Sequence, residues 1–242
     1  MKYSYIDSGV EWLGKVPEHW KMTRLAALGL FDKGRGIPKA DLVDDPNAVH
    51  AILYGDIYTK YEYSTEQLLN RVSETTAASA AEVHCGDLIM AGSGETNEEI
   101  GKCVLYKGTA RAVAGGDIII FRPRKDNGAF LSYLLNSPIA IFQKASTAKG
   151  DIVVHTYPSK LRSIRFPLPH PEEQAAIAAY LDSACAKIDR IIGIKGKATE
   201  GSIVLEQVEI LKAFRRSLIH ECVTGKKQVY GGNRKNRKEV VA

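Results

Sequence analysis

The chain has 242 residues, 45% of them hydrophobic and 25% charged, which suits one domain plus an appendage and excludes bulk disorder, a collagen-like repeat or a small disulfide scaffold. Its formal charge of +5 resides in the tail, because residues 226 to 242 hold six Lys or Arg and one Glu; everything before them sums to zero, so overall basicity carries no argument for nucleic acid. No run of about 18 apolar residues exists, the start lacks the apolar stretch of a secretory signal, and four dispersed cysteines make no disulfide framework, so the chain reads as cytoplasmic and free of membrane.

Up to residue 165, short apolar runs alternate with glycine-marked turns. They predict strands over Ala51 to Tyr54, Asp87 to Met90, Cys103 to Tyr106, Ile118 to Arg122 and Ile152 to His155. Helical stretches at Ala129 to Leu135 and Pro138 to Lys144 interrupt them, which makes residues 1–165 one α+β domain. Within it, residues 61 to 100 carry one Arg against eight acids, whereas 101 to 170 carry eleven Lys or Arg against three Asp. Gathered on one face, the second block is a +8 surface able to attract phosphate; spread out, it is ordinary solvated charge.

The proline cluster Phe166-Pro167-Leu168-Pro169-His170-Pro171 changes the period. Pro171 suits a first helical turn, and Glu172 and Glu173 suit the positive end of the helix dipole. Ile177, Leu181, Ala184, Ile188 and Ile191 then follow at coiled-coil spacing, and Val204, Val208, Leu211 and Leu218 keep the rhythm one residue out of phase. Gly193, Gly196 and Gly201 lie between the runs, each costing about 1 kcal/mol in a helix interior. Residues 166–226 are therefore either one long helix with a hitch, roughly 80 Å if continuous from 172 to 224, or two helices joined by a turn. The seam can pair with a second copy, with partner helices, or with the chain's own domain.

Catalytic signatures are missing. The loop from Gly92 to Lys102 follows a strand but fails as a phosphate loop, because Thr96 and Cys103 stand where Gly and Ser or Thr are needed, and its three acids would repel phosphate. A nucleotide-binding enzyme using this loop is retained as one alternative. No lysine has an acid two residues before it, as a common metal-dependent nuclease core would need, and no amino-methyltransferase motif of the Asp-Pro-Pro-Tyr or Asn-Pro-Pro-Phe type occurs. His84-Cys85 has no second pair at zinc spacing. No cofactor and no metal site is expected, and the chain reads as non-catalytic.

The string Asp7-Ser8-Gly9-Val10-Glu11-Trp12-Leu13-Gly14-Lys15-Val16-Pro17-Glu18-His19-Trp20 resembles the start of specificity subunits of type I restriction-modification enzymes. Pro167 to Gln174, with Tyr180-Leu181-Asp182 and Lys187-Ile188-Asp189, is similar to that family's run into its spacer helix. Leu211 to Glu221 with Val223-Thr224-Gly225-Lys226 is similar to the helix's end. The resemblance implies a DNA target-recognition domain followed by a long coiled-coil spacer helix, present here once where the full family subunit has two of each. It further implies a homodimer of half subunits on double-stranded DNA, adenine-N6 methyltransferase subunits as partners, and ATP-dependent endonuclease subunits for restriction. The alternative within the family is a truncated helical adaptor that pairs with an intact specificity subunit and reads no DNA. The three glycines depart from the family pattern, and residues 227–242 do not resemble it and read as a disordered basic tail.

For such a domain the expected DNA contacts fall on three loops and a basic block. Lys33, Arg35 and Lys39 suit phosphates or, for Arg35, a bidentate bond to guanine; a plain surface turn is the alternative. Tyr54, Tyr58 and Lys60 interleave aromatics with a cation. Ser93, Glu95 and Thr96 can bond base edges, with Glu95 accepting from cytosine. Lys144, Lys149 and Lys160 are expected to anchor the DNA backbone.

Overall fold

The computed structural model describes residues 3–147, 150, 153–198 and 202–230. It forms two compact units, one of Met22–Phe166 and one that joins Met1–Lys21 to Pro167–Ala242. The first residues thus group with the helical segment rather than with the α+β domain expected over 1–165. They carry strands β1 (Tyr5–Asp7) and β2 (Lys15–Pro17), paired antiparallel with Ile6 opposite Val16.

The larger unit runs from β3 (Lys21–Arg24) at its edge through α1 (Leu25–Leu28), β4 (Gly29–Lys33), β5 (Val49–Ile52), α2 (Tyr54–Thr59), β6 (Ser64–Thr65), β7 (Asn70–Val72), α3 (Glu74–Ser79) and β8 (Ala81–Val83). It continues through β9 (Leu88–Ala91), β10 (Ser93–Gly94), β11 (Cys103–Tyr106), β12 (Ala112–Ala114), β13 (Ile118–Pro123), α4 (Gly128–Leu135), α5 (Pro138–Ala145), β14 (Val154–His155), α6 (Pro158–Leu161) and β15 (Arg165–Leu168). A five-stranded sheet has the order β4-β13-β9-β11-β6, and a four-stranded one the order β7-β5-β12-β8. In the first, β13 pairs antiparallel with both β4 and β9, so Ile120 faces Asp32 on one side and Ile89 on the other. The runs in β9, β11 and the apolar part of β13 are buried throughout, which explains their unbroken apolar sequence. Ile52, Ile57, Leu68, Ile89, Val104 and Ile120 share one core cluster, and Ile37, Val49, Val72 and Val113 form a second.

The strand expected over Ala51 to Tyr54 stops at Ile52, and Tyr54 begins α2 instead. Asp56 is the reason: its Oδ2 accepts from Leu53 N at 2.8 Å and from Asn70 Nδ2 at 2.7 Å, closing a first helical turn. Asn136, after α4, accepts from Cys103 N at 2.9 Å and donates to Cys103 O at 2.6 Å, which pins helix to strand.

In the other unit, α7 (Pro171–Ala198) has 28 residues and α8 (Ser202–Val223) has 22. They lie antiparallel, joined by Arg215 to Asp189 at 2.5 Å and Lys195 to Gln207 at 2.6 Å. Of the two expectations for residues 166–226, the pair of helices is the one observed. The first helix runs through Gly193 and Gly196, and Gly201 lies outside the described residues. Ile177, Leu181, Ile188 and Leu218 are buried, while Ala184, Val204, Val208 and Leu211 are half-buried. The seam expected to pair with a second copy is therefore closed within the chain, because the antiparallel partner helix is tethered beside it. Ile191 is the exception, 43% exposed.

At the base of the hairpin a buried carboxylate gathers the opening residues. Glu173 accepts from Tyr3 Oη at 2.5 Å and Trp20 Nε1 at 3.1 Å, and its Oε2 lies 2.9 Å from His19 Nε2. Burial, followed by the bond to Glu173, raises the Tyr3 pKa. Residues 227–230, expected with the disordered tail, are half-buried, and Tyr3 N donates to Gln228 at 3.2 Å. The tail beyond Tyr230 lies outside the described residues.

Candidate nucleic-acid interface

The Lys33–Lys39 loop leaves β4 under close backbone control. Gly34 N donates to Ile118 O at 2.9 Å and Arg35 N to Ala114 O at 3.1 Å. A Cβ at Gly34 would overlap Gly115 O, so only glycine fits this approach. Ile37 is buried in the second core cluster and anchors the loop's far side. Lys33, Arg35 and Lys39 are exposed, and among the described residues none of the three side chains has a hydrogen-bond or ion-pair partner. The backbone is fixed while three cations are free to meet an anionic ligand, which lowers the ordering cost of binding.

A second polar loop hangs between β9 and β11. Gly92 N donates to Asp117 O at 2.8 Å, and Gly92 O accepts from Thr156 N at 2.9 Å. β10 pairs antiparallel with β14, where Ser93 Oγ lies 2.8 Å from His155 Nδ1. Tyr58 Oη donates to Ser93 O at 2.8 Å, and burial raises its pKa, with Glu99 a lesser cause. Beyond these ties, Glu95 and Thr96 are exposed, and Thr96 Oγ1 accepts from Glu99 N at 3.3 Å to shape the turn.

The structure thus divides the candidates. Tyr58 and Ser93, read as DNA contacts, brace the loop: Ser93 is 2% exposed, and the hydroxyl of half-buried Tyr58 bonds to its carbonyl. Lys144, read as a backbone anchor, is 1% exposed, with Nζ donating to Gly101 O at 2.6 Å. Lys60 is exposed but engaged, 2.9 Å from both Asp56 and Asn70. Tyr54 and Lys160 are exposed, and Lys149 lies outside the described residues.

The +8 block does not form one free face. Arg111 pairs with Glu74 and Glu82, Arg122 holds buried Asp87 through two bonds of 2.7 Å, Lys102 Nζ donates to Tyr61 O at 2.8 Å, and Lys144 is internal. Sequence reasoning missed His155, which orients Ser93, because strand pairing between 93–94 and 154–155 leaves no periodic mark in segments so short. Tyr157 and Arg162, on either side of α6 and near Lys160 in sequence, are also exposed.

A family model described as the type I restriction modification DNA specificity domain matches residues 17–198. The chain is similar to the type I restriction enzyme MjaVIII specificity subunit of Methanocaldococcus jannaschii, 26% identical over 233 residues, covering 90% of this chain and 48% of that protein. In fold it is similar to the HsdS subunit from Thermoanaerobacter tengcongensis, with a TM-score of 0.54, 17% identity and coverage of 92% and 48%. A chain from a structure on complex assembly and conformational transition of the type I R-M system gives 0.56, 16%, 92% and 49%. The chain spans about half the length of these relatives.

Proposed function

The chain belongs to the type I restriction modification DNA specificity domain family, and on that premise we propose that it is a non-catalytic subunit that selects the DNA site at which adenine-N6 methyltransferase and endonuclease subunits act. The observation that carries this reading is the pinned loop with Lys33, Arg35 and Lys39 exposed and unpaired among the described residues. A guanidinium on a fixed backbone can donate two bonds to guanine O6 and N7, whereas the flanking lysines hold phosphates without regard to sequence. Glu95 and Thr96, exposed on the braced second loop, add an acceptor for cytosine and a hydroxyl for either partner base. Met22–Phe166 serves as the recognition domain and the helical unit as spacer and contact for the methyltransferase. Two copies acting in the cytoplasm would read the two parts of an interrupted target.

The test is to co-express the chain with its methyltransferase subunit and map N6-methyladenine over host DNA by long-read sequencing. A gapped palindromic motif is expected, as two identical readers require. Arg35→Ala should cost about 1 to 3 kcal/mol at the target and make one position of the motif degenerate, and Lys149→Ala should lower methylation at all sites alike. Soluble, associated proteins with no new methylation would replace this reading with that of a helical adaptor.

A further inference from the structure

The bond between Ser93 and His155 fixes more than the loop. Ser93 is buried, and among the described residues its Oγ has one partner, His155 Nδ1 at 2.8 Å. A buried hydroxyl needs an acceptor for its hydrogen, and an unprotonated Nδ1 is the acceptor within reach. The imidazole therefore carries its own hydrogen on Nε2. His155 is half-buried, and Nε2 has no partner among the described residues and is not sealed from solvent. The backbone beside the ring is held as well. β14 pairs with β10, Thr156 N donates to Gly92 O at 2.9 Å, and Thr156 Oγ1 lies 2.8 Å from Thr147 Oγ1. An N–H donor thus stands on a fixed ladder at the root of the loop that exposes Glu95 and Thr96.

We infer that His155 is a specificity-determining residue that donates from Nε2 to guanine in the major groove, with Ser93 as the positioning residue that holds its tautomer. The inference rests on the reading of the chain as a site-selecting subunit and gives that site a reader that no periodic pattern in the sequence marks. Charge decides between phosphate and base. Residues 92–101 carry Glu95, Glu98 and Glu99, all exposed, and no Lys or Arg, so these surroundings disfavour a phosphate. A base edge is neutral, and the acceptors it offers in the major groove are purine N7, guanine O6 and thymine O4. Glu95 selects among them. It lies two residues past Ser93, at most about 7 Å along an extended chain, or about two base-pair steps of roughly 3.4 Å. An acceptor for cytosine N4 and a donor to guanine N7 or O6 at that spacing match one G·C pair or two neighbouring ones.

The test uses the full chain co-expressed with its methyltransferase subunit, and reads both the methylated motif and the affinities for target and scrambled duplexes. His155→Ala should make one G·C position of the motif degenerate and lower target affinity about tenfold, with the affinity for scrambled duplex unchanged. His155→Gln sets an amide N–H near the place of Nε2 and should keep the motif. His155→Asn sets its amide near the place of Nδ1, where it can still bond Ser93, and should behave as His155→Ala does. A residue that only braces the loop would give the reverse order, with His155→Asn keeping the motif and His155→Gln losing it, and that order would overturn the proposal. An unchanged motif in His155→Ala would overturn it too, as would an equal loss of affinity for both duplexes, which would assign the donor to phosphate. If the unaltered complex methylates no motif and binds no duplex, it is the reading of the chain as a site-selecting subunit that fails.

Discussion

Lys144 is a cation spent inside the fold. Its amine donates to Gly101 O at 2.6 Å, and burial lowers its pKa from 10.5 to about 8. Because the folded value lies below the unfolded one, the unfolded chain binds more protons between about pH 8 and 10.5. The cost of burying the charge is full below about pH 8 and is relieved as pH rises through that window. The buried Cys103 thiol works the other way: burial pushes it from 9.0 up to about 12, so its contribution to stability is lost as pH rises above 9. The clean interval is therefore about pH 8 to 9. Denaturant midpoints should rise over it in the unaltered chain and stay flat in Lys144→Met, which keeps the length and removes the charge. An equal rise in both would assign the effect to another group. The sequence offers Lys144 as a DNA anchor for the same reason it is informative here. A lysine after an apolar run looks alike whether its helix face turns to solvent or, as here, to a backbone carbonyl of another segment.

Elements carry the next level of constraint, and the Lys33–Lys39 loop shows it through two glycines. A methyl group at Gly34 would strike Gly115 O, whereas nothing lies within 4 Å of one at Gly36. Gly34→Ala should therefore destabilise the chain by about 1 to 3 kcal/mol and loosen the loop that presents Arg35. Gly36→Ala should leave stability within about 1 kcal/mol of the unaltered chain, and equilibrium denaturation compares the two directly. Equal effects would mean that the loop is not held against Gly115. Neither role was legible in the sequence, which shows a glycine and its neighbour but not the distant backbone that approaches one of them. Long apolar runs were legible: Cys103 to Tyr106 and Ile118 to Arg122 are strands as expected, because burial on both faces leaves a continuous signature. Tyr54 to Thr59 was not, since its tyrosines and isoleucine favour a strand, whereas Asp56 closes a helical turn through Leu53 N and the remote Asn70. The glycines between the two apolar runs left open a hitched helix or a turn between two, and two helices are observed, although α7 itself runs through Gly193 and Gly196 at a cost of roughly 1 kcal/mol each.

At the scale of the whole molecule, charge is divided between site and tail. The body sums to zero, and within it Arg111 and Arg122 are neutralised by acids, so the net positive charge resides in residues 226–242. Four of the tail's cations, Arg234, Lys235, Arg237 and Lys238, lie beyond Tyr230. If they meet phosphates, deleting residues 231–242 should lower affinity for any duplex and flatten the slope of log K against log salt by up to about 3.6, about 0.9 for each phosphate no longer neutralised. The ratio of affinities for target and scrambled duplexes should not change, because phosphate contacts position a protein without reading bases. Arg35→Ala should show the converse, a smaller salt effect with a reduced ratio. Titrations of both variants at several salt concentrations separate the two effects, and a fall in the ratio on deleting the tail would place part of the sequence reading outside the loops.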